Sequence, residues 1–360
     1  MSGENKYSRK LNESEARERL RRFWNNQETD RPALNMLAPN PDHTPNPMDW
    51  KGTLKDRDFS APYRSHTAYD CIQGGLFLYE KMPVYHINPG SGLAMMAILA
   101  GYDFRYNGKT AWIDEVPDLL EEAPPEQWET NSERARNLEF CYTEAAERIK
   151  GLGFLSSPNL LDPVTVLSQL AGAEELALTM LDEPERVREW IGSLTDLYLH
   201  IFNHFSDLAN VQDSEVFFGP TAEGRSAALQ CDFSVMLSTD MFKEFVLPSL
   251  KRIASAMPMT LYHLDGVEQM RFLDHLQTIP QLKGIQWNPQ QDYFKPSRHL
   301  RDLHEIKERG LILYVAVDTV EEAISVTKAL GPKGLFIRFR DTFASREAAE
   351  KAVEQISAQA

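Results

Sequence analysis

MTLYHLDGVEQMRFLDHLQTIPQLKGIQW, residues Met259–Trp287, holds two short apolar runs separated by a helical pattern. Met259–Leu264 has the length and composition of a buried strand and closes on Asp265 and Gly266; Val267–Leu276 then reads as a helix, and Gly284–Trp287 as the next strand. The alternation continues to the C terminus. Ser297–Arg309 predicts a helix, Leu311–Val317 (LILYVAV) a strand, Val320–Leu330 a helix, Leu335–Phe339 (LFIRF) a strand and Ser345–Ala358 a closing helix. Strands alternating with helices at this density imply parallel βαβ units.

Upstream, the helical patterns Asn131–Lys150, Glu185–Leu208 and Thr239–Ala256 and a helix from about Val164 are interleaved with apolar runs at Met82–Gly90, Gly151–Pro158 and Glu215–Gly219. Gly92–Gly101 reads as a short helix. At the N terminus, Asn12–Asn25 is an amphipathic helix, Asp30–Pro39 a proline-bracketed strand, and Asn40–Pro62 a long polar loop of the kind that is often functional. No dinucleotide fingerprint accompanies these strands. The pattern therefore predicts an α/β protein, a single (β/α)8 TIM-like barrel with an N-terminal helical and loop extension. Residues 1–81 supply that extension, the first strand and a loop covering the same domain, and residues 82–360 the body of the barrel.

Composition narrows the function. The chain has 360 residues, 53 acidic against 38 basic side chains, a net charge of -15, 42% hydrophobic residues and 3 cysteines. A chain of this length buries about three quarters of its unfolded surface and needs no disulfide or structural metal for stability. The acidic excess, with no basic run, opposes a nucleic-acid partner. Cys71, Cys141 and Cys231 are far apart and form no CxxC. They suit a reducing cytoplasm. The charged segment 1–25 does not read as a signal peptide, and no stretch is long and apolar enough to predict a membrane span.

In a parallel barrel the chemistry sits at the C-terminal ends of the strands. His263 and Asp265 are two residues apart at such an end, so both face one side and can share a ligand. As neutral imidazole and carboxylate they are metal ligands, zinc foremost, or a catalytic proton donor and acceptor. Tyr262, in the same run, is a substrate-contact candidate. Glu223–Asp232 (EGRSAALQCD) is expected to form a loop over the mouth. It would offer Glu223 as a catalytic carboxylate, Arg225 as an anchor for a substrate carboxylate and Cys231 as a thiolate ligand. Gln286 and Trp287 close the next strand as polar and apolar substrate contacts, and Arg338 and Arg340 alternate on the last strand, where they would bind an anionic group.

Three signals are set aside. His200 and His204 lack the intervening glutamate of HExxH, Pro89-Gly90-Ser91-Gly92 lacks the spacing of a phosphate loop, and Glu121-Glu122 is a solvated acidic run.

Asp182-Glu183-Pro184-Glu185-Arg186-Val187 resembles a helix start of the uroporphyrinogen decarboxylase superfamily, and Phe233–Pro248 (FSVMLSTDMFKEFVLP) resembles a later segment of it, the part around Phe242–Pro248 being the most specific. Tyr262–Gly266 occupies the place of a following strand-end motif that reads His-x-Cys in the corrinoid-linked methyltransferase branch. The resemblance covers roughly Met82 to the C terminus and implies one (β/α)8 barrel. Met36–Pro41 stands where true decarboxylases carry an arginine-bearing segment, so decarboxylation of an eight-carboxylate porphyrinogen is not expected. The methyltransferase branch implies a zinc site, a small-molecule substrate and a separate corrinoid protein. Asp265 replaces the first cysteine of its motif, and no cysteine follows. That makes a harder site, suited to hydroxyl or carboxylate substrates. A lyase or hydrolase acting on a sugar-like or carboxylated molecule, with Asp265 and Glu223 as acid and base, is the alternative; it requires the two carboxylates to face one pocket about 5–10 Å apart.

Overall fold

The computed structural model of the chain describes residues 5–88, 94–107, 111–128, 131–289 and 295–360. Pro89–Gly92 and parts of the readings Met82–Gly90 and Gly92–Gly101 lie outside them. The strands are β1 Ala33–Pro39, β2 Gly75–Tyr79, β3 Val84–Tyr85, β4 Phe104–Tyr106, β5 Ala111–Ile113, β6 Phe154–Leu155, β7 Asp213–Glu215, β8 Thr221–Glu223, β9 Thr260–Asp265, β10 Leu282–Asn288, β11 Ile312–Val317 and β12 Leu335–Phe339. Six form one sheet in the order β2-β1-β12-β11-β10-β9. All neighbours in it run parallel except β2, which lies antiparallel on β1. With helices between most strands, the architecture is mixed α/β around a largely parallel sheet.

The sheet continues past β9 through an isolated parallel bridge between Leu229 and Tyr262. Leu229 N–H donates to Leu261 O at 2.9 Å and His263 N–H to Leu229 O at 2.7 Å. Elsewhere β3 pairs with β6 in parallel, and β7 with β8 as an antiparallel hairpin. Ser156 Oγ, just after β6, accepts from Glu215 N–H at 3.0 Å and so ties β7 alongside.

Side chains alternate along a strand with period two, and the core divides accordingly. Leu34, Met36, Tyr262, Leu264, Ile285, Leu313, Val315 and Ile337 join the larger cluster, with the helices. Ala33, Leu261, Ile312, Tyr314 and Phe336 join a smaller one with Val216, Ala222 and Ala228. That second cluster takes in Leu20, Phe23 and Trp24 from the first helix, Glu13–Trp24. Trp24 Nε1 donates to Thr221 O at 2.8 Å, which fixes the helix over the β8 hairpin. β10 and β11 approach so closely at Gly284 that a Cβ there would lie 2.0 Å from Ile312 O.

Three expectations need correcting. The stretch 40–62 is not wholly loop: Thr53 and Ser60 cap helices Leu54–Asp58 and Ala61–Gly74, each accepting a bond from a first-turn backbone N–H. The run Glu215–Gly219 ends as a strand at Glu215 and turns through Val216–Phe218. The helix Thr239–Ala256 is interrupted by a π-helical turn, Phe242–Val246, before Leu247–Ala254. Pro248 explains the interruption, because it has no N–H for the α-helical bond to Glu244. Among the described residues no single helix is long and apolar enough to cross a membrane.

Candidate functional site

His263 and Asp265 occupy alternate positions of β9, so their side chains leave the same face of the sheet at its C-terminal end. The segment that bridges through Leu229 runs parallel to β9 and delivers Asp232 to the same end. One ligand atom from each of Asp232, His263 and Asp265 lies within 4.8 Å of the other two. His263 Nε2 lies 3.9 Å from Asp265 Oδ1.

Neighbours set the state of each group. Gln286, directly across from His263 in β10, bonds His263 Nδ1 through Oε1, while its Nε2 donates to Trp287 O at 3.2 Å. That orientation makes Nδ1 the protonated nitrogen and turns the Nε2 lone pair towards the carboxylates. Burial lowers the pKa of His263, against raising contributions from Gln286 and Asp265. The neutral imidazole, a good metal ligand, is the favoured form. Asn288 Nδ2 donates to Asp265 Oδ1 at 2.5 Å. Asp232 Oδ1 is buried without a hydrogen-bond partner. Burial, with Asp162 and Asp265 adding negative charge, pushes the Asp232 carboxyl up to about 7. Asp162 is held near 6, chiefly by burial, although it caps the helix Pro163–Ala171 by accepting from Val164 N at 3.0 Å and Thr165 N at 2.9 Å. Two buried acids and a partly buried one, close together, thus leave an excess of negative charge.

A second buried cluster has the opposite balance. Glu215, at the end of β7, receives Lys81 Nζ on Oε1 at 2.5 Å and faces His86 Nε2 from Oε2 at 3.0 Å. Lys81 and His86 pull its pKa down to about 2 against the desolvation that would raise it. Arg338 and Tyr314 lie within electrostatic reach of the same carboxylate. Between the clusters stand Phe217 and Phe218. Both have left-handed backbone, φ 49° and 57°, which costs an L-residue roughly 1 kcal/mol or more. The Phe217 ring stacks on His263 at 3.9 Å between centroids, Phe218 lies 5.9 Å from Phe217, and His86 4.9 Å from Phe218. Gly219 completes this turn, and a Cβ there would lie 2.4 Å from Tyr314 Cε1.

The structure separates the other candidates. Gln286 shares the face of His263, whereas Tyr262 and Trp287 are one residue out of phase and pack in the larger core, Trp287 5.4 Å from the His299 ring. As substrate contacts they are corrected by the alternation of the strand. Glu223 belongs to β8 and lines a small surface cleft with Trp24, Arg21 and Met259, the residue just before β9. It is therefore at the start of the strand that Asp265 ends, a run of six residues or roughly 20 Å. The Glu223–Asp265 acid/base pair is thereby corrected. Arg225 bonds Asp207, and its neighbour Ser226 bonds Met259 O, so it too is at the far end.

Cys231 Sγ lies 3.9 Å from Thr165 Oγ1. Burial, then Asp162, drives its pKa well above the ordinary thiol value. It is absent from the ligand group, and Asp232, in the same loop, stands there in its place. Arg340 pairs with Asp318 at 2.9 Å, while Arg338 lies over Phe218 beside Tyr314. Sequence reasoning assigned no role to Asp232, Lys81, His86, Glu215 or Phe217. The available signal for Asp232 was an acid at the end of the short run SAALQCD, a strand-like stretch that pairs through one residue only. No protein-family model matches the chain, and no curated protein matches it significantly.

Proposed function

We propose that the chain is a (β/α)8-barrel enzyme, similar to the corrinoid-associated methyltransferase branch of the uroporphyrinogen decarboxylase superfamily, that binds a divalent metal through Asp232, His263 and Asp265. Barrel closure is supported by the parallel pairing of β1, the first strand, with β12, the last. The bridge beyond β9 and the link from β6 to β7 supply further parts of the same circuit. The observation that carries the metal reading is the convergence of three donors within 4.8 Å of one another. The orphaned Asp232 Oδ1 and the outward lone pair of His263 fit a cation better than they fit a resting hydrogen-bond network.

Two carboxylates and one imidazole form a hard set, so zinc or another divalent ion would present its open position to an oxygen rather than a thiol group. Held by Asp232, His263 and Asp265, such an ion would supply Lewis-acid polarisation of an oxygen function of the substrate. The protein's own residues hold and orient. Gln286 fixes the His263 tautomer, Asn288 orients the Asp265 carboxylate, and the Phe217 ring covers the imidazole and excludes water from that side. A small methoxylated or hydroxylated compound, with a separate corrinoid protein as methyl carrier at the strand ends, is the substrate and partner class this reading takes. A lyase or hydrolase reading is supported by the Asp232–Asp265 proximity in place of the separated Glu223.

Metal content measured on purified full-length protein after zinc loading and desalting tests the proposal. The expected result is a single zinc per chain, absent in His263→Ala and in Asp232→Asn. Zinc content that is negligible in the parent, or equal in parent and variants, would overturn it.

A further inference from the structure

The two clusters at the strand ends have opposite charge. Asp162, Asp232 and Asp265 make one half negative, and a bound cation would answer it. Across Phe217 and Phe218, Lys81, His86 and Arg338 surround a single carboxylate, Glu215. Lys81 and His86 are already engaged, one on each oxygen of Glu215. Arg338 is not. Among the described residues no carboxylate lies within ion-pair distance of its guanidinium; its neighbours are the Tyr314 hydroxyl and the face of Phe218, 5.9 Å away. A largely buried guanidinium without a directly paired carboxylate leaves its donors unanswered, and its planar fork matches a carboxylate in two parallel hydrogen bonds.

Position adds to charge. In β12 Arg338 pairs with Ala316 of β11 and Asn35 of β1, two residues past Phe336 and Tyr314. Tyr314 is level with Gln286, and Gln286 with His263, so two residues further along β10 and β9 come Asn288 and Asp265. Arg338 and Asp265 thus stand at one level on the same face, three strand intervals apart, roughly 14 Å between backbones along the sheet. Arginine and aspartate side chains reaching towards each other shorten that span to the length of a small molecule. Ala316, between them, contributes only a methyl group.

We propose that Arg338 is a carboxylate-binding subsite, so that the substrate is a small carboxylic acid with an oxygen function at its other end. The carboxylate takes the fork of Arg338, the oxygen function lies at the Asp232–His263–Asp265 centre, and the apolar middle of the molecule meets Phe217 and Phe218. The second of these contacts rests on the metal reading above; the first does not.

Isothermal titration of the zinc-loaded full chain with 4-hydroxybutanoate, 1,4-butanediol and inorganic phosphate tests the inference. 4-Hydroxybutanoate is expected to bind at least tenfold more weakly to Arg338→Met than to the parent, and Arg338→Lys to fall between, with zinc content unchanged in both. Butanediol is expected to bind weakly and alike to all three. Should Arg338→Met fail to fold, Arg338→Lys carries the comparison, since it keeps the charge and loses the fork. Equal binding of 4-hydroxybutanoate to parent and variants overturns the subsite, as does binding to the parent no better than butanediol. Tighter, Arg338-dependent binding of phosphate overturns the carboxylate assignment. The same titrations on chelator-treated protein keep the two readings apart. Arg338-dependent affinity that persists there supports the subsite even if zinc fails to bind, whereas zinc binding without it removes the subsite alone.

Discussion

Glu215, buried, and Asp232, partly buried, are carboxylic acids near strand ends, on either side of the same two phenylalanines, and their surroundings set them apart. Glu215 has a cation or histidine on each oxygen and a backbone anchored by Ser156, and it is held ionised down to about pH 2. Asp232 has an orphaned oxygen and two acidic neighbours, and its carboxyl is raised to about 7. A desolvated carboxylate oxygen is common to both. What differs is whether the protein itself supplies the positive charge. Where it does, the carboxylate is a structural tie; where it does not, the uncompensated charge is the ground on which a cation from outside is proposed.

The largest test is removal of the satisfied acid. Glu215→Gln leaves Lys81, whose side chain is 14% exposed, without its counter-charge. Breaking a buried pair from one side costs about 3–5 kcal/mol. Urea unfolding should show a loss of that size. A loss below about 1 kcal/mol would mean that Glu215 is not the tie described, and the contrast with Asp232 would lose its reference.

The acid limb of the stability curve examines the same group more gently. The Glu215 pKa is depressed from an ordinary 4.5 to about 2. Its stabilising contribution is therefore complete above pH 4.5 and is lost as pH falls towards 2, a margin of about 3 kcal/mol by linkage. Subtracting the Glu215→Gln curve from that of the parent should isolate this window. A difference that does not change between pH 5 and pH 2 would contradict the depressed pKa.

These groups were unequally legible in the sequence. The C-terminal strands could be read because each is a long apolar run bounded by a helix, and β9, β10, β11 and β12 fall close to where the runs place them. The stretch between β2 and β9 was obscure because its strands are two or three residues long, and some take their partners from distant chain, as β3 and β6 do across Val84 and Phe154. His263 and Asp265 were visible as a strand-end pair. Asp232 was not, since its place depends on Leu229 bridging to Tyr262, a tertiary contact without a periodic signature. Glu223 misled for the complementary reason. The turn at Phe217–Gly219 reverses the chain into a hairpin, and two phenylalanines in left-handed conformation are not what a turn sequence advertises.

A smaller effect sharpens the Asp232 side. Gln286 touches the candidate centre through His263 Nδ1, so Gln286→Leu should leave the ligand set intact while freeing the imidazole to rotate and change tautomer. Loss of such a supporting partner weakens metal binding by about 10–100-fold. Competition with a chromogenic chelator measures it. Zinc affinity within twofold of the parent would show that the Gln286 contact orients nothing.

The smallest expected effect is the most discriminating, because its sign is opposite to that of Glu215→Gln. In chelator-treated protein the Asp232 carboxylate makes no hydrogen bond through Oδ1 and faces Asp162 and Asp265. Asparagine has nearly the same volume, carries no charge and brings two N–H donors to a surrounding rich in acceptors. Asp232→Asn should therefore leave the metal-free chain as stable as the parent or more stable by up to about 1 kcal/mol, in keeping with the cost of a buried unsatisfied group. The same variant should lose the stabilisation that zinc gives the parent. Thermal unfolding of both proteins, with chelator and with zinc, supplies the four values needed. If Asp232→Asn destabilises the metal-free chain by 2 kcal/mol or more, Asp232 is a second structural tie like Glu215, and the case for an external cation at the end of β9 fails with it.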